Sequence, residues 1–377
     1  MGDWGGFRST LAAHGIGFDL ESTHFYQGMF SGTGRDDFDY GGRLDAFFNA
    51  DTGKLGLWDG GGLRTHLEYR YGGLGGFRGG ALWPTHTGGV LPLSAADEIV
   101  ASSLYLTQKF GDRVSVMLGK INVVDLLASD PFFGGWGNTR FMNVAFVAPP
   151  SGVLPPVIYG AIASLKTAPV TWTFMAYDPN DRTSDYAPDD LFSDGVNLSL
   201  SATYVGKLAG RTTSYTLGGI YSTKNGADIS ELLLPSDLKT GTKDGSYSIS
   251  FQFAHFLQES AEHPGDGWGL FVKGAICDGN PNPIQSYVTG GLGGKGLIPS
   301  RRDDSFGVGY FYYNFSDALQ QAVRPLVKFD NEQGVEVFYN YAVTPWFHVT
   351  ADLQVIDPAR GANDSAVVAG LRANIRF

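Results

Sequence analysis

The C-terminal stretch Gly334–Phe377 reads GVEVFYNYAVTPWFHVTADLQVIDPARGANDSAVVAGLRANIRF. Apolar and polar residues alternate along it with a period of two, and turns at Pro345 and Pro358 divide it into three segments. This period predicts strands with one apolar and one polar face. In a soluble sheet the polar face meets bulk water. In a transmembrane barrel the apolar face meets lipid and the polar face lines a wet lumen. The final Phe377 is in register with the apolar row and favours the barrel.

The same alternation continues through the rest of the chain. The segment Leu63–Tyr71 is the clearest example, because Arg64, His66, Glu68 and Arg70 all fall on one face and need water or each other. Counting such segments predicts sixteen antiparallel strands. They are Ile16–Gly28, Phe38–Asn49, Leu63–Tyr71, Val100–Phe110, Val114–Ile121, Val157–Lys166, Val170–Asp178, Val196–Lys207, Thr212–Thr223, Tyr247–Leu257, Trp268–Cys277, a weak strand at Ser286–Leu292, Ser305–Asn314, Val335–Val343, Phe347–Val355 and Val367–Phe377.

The connections between these strands differ in length in a regular way. An even number of strands puts both termini on one side, and the count requires that Phe141–Val147 belongs to a loop. Short connections are then predicted on the side of the termini, at Gly111–Arg113, Thr167–Pro169, Leu208–Gly210 and Thr344-Pro345. Long ones are predicted on the other side, at Gly72–Ala96, Asn122–Pro156, Pro179–Asp194, Lys224–Ser246 and Phe315–Glu332. Outer-membrane barrels combine short periplasmic turns with long outer loops, so the pattern favours that class.

Bulk properties narrow the remaining possibilities. The chain has 377 residues, 53 of them Gly, with 14% aromatic and 17% charged residues, which suits a many-stranded antiparallel protein. A mean hydropathy of −0.08 excludes a helical membrane protein but not a barrel. The net charge of −11 argues against a nucleic-acid partner, and the single Cys277 allows no internal disulfide. Met1 precedes Gly2-Asp3-Trp4 with no signal peptide, so we expect a processed chain forming one domain over residues 1–377.

Several motifs carry a family resemblance. Gly2–Arg8, followed by Leu11 and Gly15–Phe18, resembles the opening of the OprB-type carbohydrate-selective porins. Further motifs resemble that family along essentially the whole chain, at Gly119–Asn122, Ala128–Asp130 with Phe132, Asp278–Asn282, Gly296–Ile298 with Arg301 and Asp303, Val335–Gln354 and Arg372–Phe377. The resemblance implies a sixteen-stranded outer-membrane barrel with passive, substrate-biased diffusion of sugars or related polar solutes. It also implies that the third outer loop, residues 122–156, folds inward to narrow the pore.

Residues 1–15 are expected to form a periplasmic segment with a short helix before Gly15. The resemblance favours a monomeric pore, surrounded by outer-membrane lipid and lipopolysaccharide. We expect no cofactor.

An enzyme is the alternative class. Adjacent carboxylates at Asp36-Asp37 and Asp189-Asp190 are typical of solvated turns, whereas glycosidases set two carboxylates across a cleft. The seven histidines lack the spacing of a transition-metal site, and no nucleophile-elbow motif is present. A soluble or surface-attached carbohydrate-processing enzyme or lectin stays open as a second hypothesis, as does a general or organic-acid-selective porin.

Sugars bind through hydrogen bonds from charged groups and through stacking of their C–H faces on aromatic rings. The narrow part of the pore is therefore expected to mix charged and amide side chains with aromatic ones. The predicted polar residues are Arg43, Asp45, Arg64, Glu68, Lys120, Asn122, Asp125, Arg140, Asn143, Glu336, Asp352 and Gln354. The predicted stacking surfaces are Trp136, Phe141 and Trp346. Each of these residues could instead brace the wall or lie in a wide part of the lumen.

Overall fold

The computed structural model describes residues 2–74, 76, 78–92, 97–239, 241–263 and 265–377. Within them, sixteen antiparallel strands close into one barrel in which β1 also pairs with β16, confirming the predicted architecture. The strands are β1 (Ile16–Ser31), β2 (Phe38–Asp51), β3 (Gly61–Gly72), β4 (Ile99–Phe110), β5 (Val114–Asn122), β6 (Val157–Lys166), β7 (Val170–Tyr177), β8 (Asn197–Leu208), β9 (Arg211–Ser222), β10 (Ser246–Glu259), β11 (Gly267–Cys277), β12 (Ile284–Lys295), β13 (Ser305–Phe315), β14 (Glu332–Thr344), β15 (Phe347–Asp357) and β16 (Ala366–Arg376).

The helices are short and form no part of the barrel sheet. They are α1 (Phe7–Ala13), α2 (Thr87–Val90), α3 (Val123–Leu127), α4 (Val144–Val147) and α5 (Asp317–Val323), with 3-10 turns at Trp4–Gly6, Ile229–Glu231 and Ser236–Leu238. The predicted helix before Gly15 corresponds to α1. A small hairpin of Gly226–Ala227 with Thr242–Lys243, which the sequence did not predict, lies in the loop after β9. None of the helices in the described ranges is both long and apolar enough to span a bilayer.

The two rows of the C-terminal strands face in opposite directions. Leu353 and Val355 are 44% and 45% exposed, whereas Asp352 and Gln354 on the same strand are 5% and 1% exposed. The polar row is therefore the enclosed one, the reverse of a soluble sheet. A lipid solvent explains this arrangement, because the apolar row can then be exposed without contacting water.

Strand positions agree with the prediction to within a few residues. The weak strand at Ser286–Leu292 extends to Ile284–Lys295, because β12 pairs along its length with both β11 and β13 despite its glycines. Ladder hydrogen bonds in a closed sheet here outweigh low intrinsic strand preference. Residues 141–147 remain outside the barrel sheet, as the strand count required, and their last four form α4.

The long connections join strands on the side opposite the termini. They include loop 2 (residues 73–98), loop 3 (residues 123–156) and loop 4 (residues 178–196). The short predicted turns lie on the side of the termini, but residues 32–37 and 278–283 make short connections on the loop side too. Within the predicted loop Gly72–Ala96, residues 75, 77 and 93–96 lie outside the described residues, and so does Met1.

Candidate functional site

Loop 3 packs against the enclosed face of the barrel wall. Its residues Phe141 and Phe146 are not exposed at all, and their rings lie 4.9 Å and 5.8 Å from those of Phe338 on β14 and Phe311 on β13. A Cβ at Gly309 on β13 would lie 2.4 Å from the Phe146 ring, so glycine is needed for this fit. Apolar burial therefore fixes the loop against the inside of the wall.

Polar groups of the wall hold the backbone of loop 3. The Glu336 carboxylate accepts hydrogen bonds from the backbone N–H groups of Met142 and Asn143, at 2.5 and 2.9 Å. Arg372 donates to the carbonyls of Gly137 and Arg140, the latter at 2.9 Å. These contacts provide hydrogen-bond partners for backbone groups of the loop that no sheet or helix pairs. A buried loop requires such partners, because its backbone groups cannot bond to water.

Loop 2 also reaches into the barrel, a feature that the sequence reading did not predict. Arg43 donates to the Leu91 carbonyl at 3.0 Å, and Gln354 donates to the Thr85 carbonyl at 2.9 Å. Glu332 accepts from the N–H groups of Leu82 and Trp83 at 2.7 and 3.1 Å. Loop 2 has no apolar alternation that could have indicated its position. Its position inside the barrel is set by its hydrogen bonds to strands that are distant in the sequence.

A buried charge network lies where β2 and β3 meet these loops. Arg43 Nε lies 2.7 Å from Asp45 Oδ1, and Arg43 Nη2 lies 3.1 Å from Glu68 Oε2. All three side chains are at most 2% exposed. Glu68 also accepts from Ser102 and, at 3.0 Å, from Asn122 Nδ2. Removing one partner of such a buried pair costs about 3–5 kcal/mol, because the other charge is left uncompensated. The network therefore braces the wall.

An aromatic stack borders the network. The Phe47 ring stacks on the rings of His66, at 4.0 Å, and of Trp136 of loop 3, at 5.1 Å between ring centroids, and the latter two rings lie 6.1 Å apart. Trp136 Nε1 donates to Asp125 at 2.8 Å, and Asp125 also lies 2.9 Å from His66 Nδ1. The hydrogen bond fixes the plane of the indole. His66 was visible in the sequence as the middle of the polar row of β3, but we did not predict it as a site residue.

The stack borders a cavity that is also lined by loop 3. Its volume is about 730 Å³, within the usual range of about 300–1,000 Å³ for small-molecule sites. Its lining includes the aromatic Phe47, Trp136 and Tyr105 and the hydroxyls of Ser103 and Thr139. Its charged residues are four carboxylates, Asp19, Glu21, Asp125 and Asp303, against four cations, Arg64, Arg140, Lys295 and Arg376. Counting only carboxylate, Lys and Arg side chains, the negative and positive charges of the lining therefore balance.

Two buried groups in the inserted loops have shifted pKa values. Burial, together with the neighbouring Arg372, lowers the pKa of His86 in loop 2 to about 3. His86 Nδ1 accepts from the N–H of Gly89 at 2.8 Å, and the ring packs edge-on against Phe25. Burial raises the pKa of Asp130 in loop 3, which the N–H donors of Phe132 and Phe133 partly oppose. A neutral His86 is thus part of the docked form of loop 2.

The predicted site residues fall into three groups. Arg64, Asp125, Trp136 and Arg140 line the cavity. A second group is buried in the contacts that hold the wall and loops together: Arg43, Asp45, Glu68, Asn122, Asn143, Glu336, Asp352 and Gln354. A third group, Lys120, Trp346 and Phe141, lies neither in the cavity lining nor in the polar contacts inside the barrel.

The third group differs from the prediction for specific reasons. Lys120 pairs with Leu104 and Tyr159, so it lies on the outward row, where loop 4 covers it with the carbonyls of Thr183 and Asp185, 2.7 and 2.9 Å from Nζ. Trp346 is 39% exposed in the turn before β15. Phe141 is enclosed by other rings and has no face free for a solute.

Three potential metal ligands come together in the network. One ligand atom each from Asp45, His66 and Glu68 lies within 4.8 Å of the others. Arg43 already pairs with both carboxylates, so positive charge is supplied by the chain itself. The prediction that this protein has no metal site stays a prediction.

The whole barrel has counterparts among solved structures. The high-pH structure of Pseudomonas putida OprB superimposes with a TM-score of 0.85 at 20% identity, over 100% of this chain and 97% of that one. The low-pH structure of the same protein gives a TM-score of 0.62 at 17% identity, over 100% and 97%. At these identities the likeness shows a shared fold.

Sequence comparison identifies the family. Porin B of Pseudomonas aeruginosa is 27% identical over 191 residues, which is 43% of this chain and 41% of that protein, so the match spans about two fifths of its length. A family model described as carbohydrate-selective porin, OprB family, matches residues 35–377. Family and fold together indicate a bacterial outer-membrane protein that is not an enzyme. The chain belongs to the OprB family of carbohydrate-selective porins.

Proposed function

We propose that the protein is a passive outer-membrane channel for neutral sugars and related polar solutes, with loops 2 and 3 forming its narrow part. One observation carries the proposal. The cavity beside loop 3 combines the aromatic side chains of Phe47 and Trp136 with balanced charges and hydroxyls. An aromatic face suits the C–H surface of a sugar, and paired charges suit its hydroxyls.

The charge balance separates this proposal from an organic-acid channel. Four carboxylates and four cations line the cavity, so an anionic solute meets as much repulsion as attraction there. A neutral polyol can use both signs, since each hydroxyl donates and accepts. Binding must remain weak, because a tight site would slow the exit of the solute. We therefore expect brief, concentration-dependent block by sugars.

Single-channel recording in planar bilayers tests this function. We expect neutral mono- and oligosaccharides to reduce the ion current reversibly, and Trp136→Ala to weaken that block while the channel still conducts. Trp83→Ala is the matched control, because Trp83 is a loop 2 tryptophan that packs on Tyr313 and Phe315 and does not line the cavity. Conductance that no neutral sugar changes, or block by organic acids alone, would contradict the proposal.

The same proposal covers the partners of the barrel. The outward apolar rows suit outer-membrane lipid, with lipopolysaccharide on the loop side and the termini in the periplasm. Each chain encloses its own lumen, which supports a monomeric pore as the functional unit. Sugar block that depends on the number of chains per channel would contradict the monomeric part of the proposal.

A further inference from the structure

Apolar residues of the N-terminal segment lie outside the barrel wall. The rings of Trp4 and Phe7 lie 5.2 and 6.3 Å from that of Phe18 on β1. Phe18 pairs with Phe48, which is 43% exposed on the outward row of β2. Trp4 and Phe7 therefore continue the lipid-facing surface at the rim on the side of the termini, and they are themselves 44% and 54% exposed.

The turn between β2 and β3 adds to this surface. Its residues Leu57 and Trp58 are 64% and 51% exposed. Trp58 covers Gly61 of β3 so closely that a Cβ there would lie 2.2 Å from the indole nitrogen, and it donates to Gln108 of β4 at 2.8 Å. Gly61 and Gln108 pair on the outward row, so Trp58 lies against the outside of the wall.

Side-chain contacts fix the segment in this position. Arg8 donates to the carbonyls of Phe377 and Phe18, both at 2.7 Å, and pairs with Asp19 at 2.5 Å. Lys54 Nζ donates to the Ala12 carbonyl at the end of α1, at 3.2 Å. Helix α1 is thus held to Phe377 and to the turn between β2 and β3. Trp4 and Phe7 are directed away from the pore.

We propose that Trp4, Phe7, Leu57 and Trp58 form an interfacial anchor in the phospholipid headgroup region of the periplasmic leaflet. Exposed aromatic residues continuous with a lipid-facing surface are typical of that zone, where one edge of the ring is apolar and the other wet. Arg8 and Lys54 beside them can extend their charged ends towards phosphate. The N-terminal helix is then a membrane contact of the rim. This inference requires the barrel to lie in a bilayer and does not depend on sugar transport.

A spin-label experiment tests the anchor in the full-length protein in phospholipid vesicles. In a Cys277→Ser background, a nitroxide is attached at Phe7→Cys or, as the matched control, at Ser9→Cys on the opposite side of α1. The anchor predicts that oxygen, which concentrates in lipid, relaxes the label at position 7 several-fold more effectively than a water-soluble nickel complex. The label at position 9 should show the opposite preference. Equal access of the nickel complex to both labels would overturn the proposal.

A second measurement avoids any label on the helix. Brominated phospholipids quench tryptophans that contact lipid, so Trp58→Phe should reduce the quenched fraction of the protein fluorescence. Trp83→Phe, which removes an interior tryptophan, should not reduce it. If quenching is the same in wild type and Trp58→Phe, the turn does not contact lipid and the anchor is refuted. Sugar block recorded from the same preparations reports separately on the proposed function.

Discussion

Glu336 is the residue whose replacement tests most directly how loop 3 is held. It lies on the enclosed row of β14, is 0% exposed, and accepts from two successive backbone N–H groups of the loop. Glu336→Gln keeps the size of the side chain but replaces one carboxylate oxygen with an NH2 group. One of the two loop N–H groups then faces a donor and loses its partner.

The expected magnitude follows from that count. Losing a hydrogen bond so that a buried N–H group is left without an acceptor costs about 1–3 kcal/mol. The variant loses one such bond, and about 1.4 kcal/mol corresponds to a tenfold change in an equilibrium. The undocked population of loop 3 should therefore rise by about 10- to 100-fold. Apolar packing of Phe141 and Phe146 remains, so the barrel itself should still form.

Single-channel recordings at constant voltage measure this change. Undocking of the loop should appear as a second conductance level, and the fraction of time spent there should increase by the factor above. Glu332→Gln makes an informative comparison, because Glu332 holds two N–H groups of loop 2 in the same way. The control is Glu98→Gln, the same substitution at an exposed loop position. Recordings from Glu336→Gln that match those from Glu98→Gln would refute the reasoning.

Three further predictions concern other contacts. The pKa of His86 is about 3 when buried and about 6.5 when free, so loop 2 docking should hold above pH 6.5 and weaken, by up to a few kcal/mol, as pH falls towards 3. His86→Asn keeps an acceptor for Gly89 but should flatten this dependence in recordings from pH 7 to 4; an unchanged slope would contradict it. Gly309→Val should cost about 1–3 kcal/mol by overpacking against Phe146, seen as a lower unfolding temperature, and unchanged stability would argue against the fit. Lys120→Met should leave sugar block unchanged, because Lys120 lies on the outward row, and altered block would place it in the pore.

Alternation made the wall readable from the sequence. Because a strand has a strict period of two, the faces on which residues such as Asp352 and Leu353 lie can be predicted without knowing which strands pair. The strand count then predicted a closed barrel of sixteen strands, which the structure confirms, whereas short connections also occur on the loop side. The rule also places Lys120 correctly when it is applied, since Lys120 shares the row of the exposed Leu118. Lys120 was chosen from a motif and not from its row, and its pairing with Leu104 shows the outward direction.

The candidate site was only partly predictable, because irregular backbone has no period. Nothing in the sequence of loop 2 indicates that Thr85 and Leu91 meet Gln354 and Arg43, more than forty positions away in the chain. Phe141 looked like a free stacking surface, since a sequence of aromatics does not show which rings enclose each other. Trp136 was predicted correctly as a cavity residue, and only the structure shows that Asp125 fixes its plane.

The sequence by itself determined the barrel, its sixteen strands and the enclosed polar row of the C-terminal strands. These features follow from local periodicity and from the need to pair every backbone group in lipid. Tertiary structure alone decided which polar residues face a solute and which hold a loop. Glu336 and Asp125 look alike in the sequence. The carboxylate of Glu336, however, accepts hydrogen bonds from two backbone N–H groups of loop 3, whereas Asp125 borders the cavity. The physical reason is that hydrogen-bond partners of irregular loops are set by long-range packing, which leaves no local pattern.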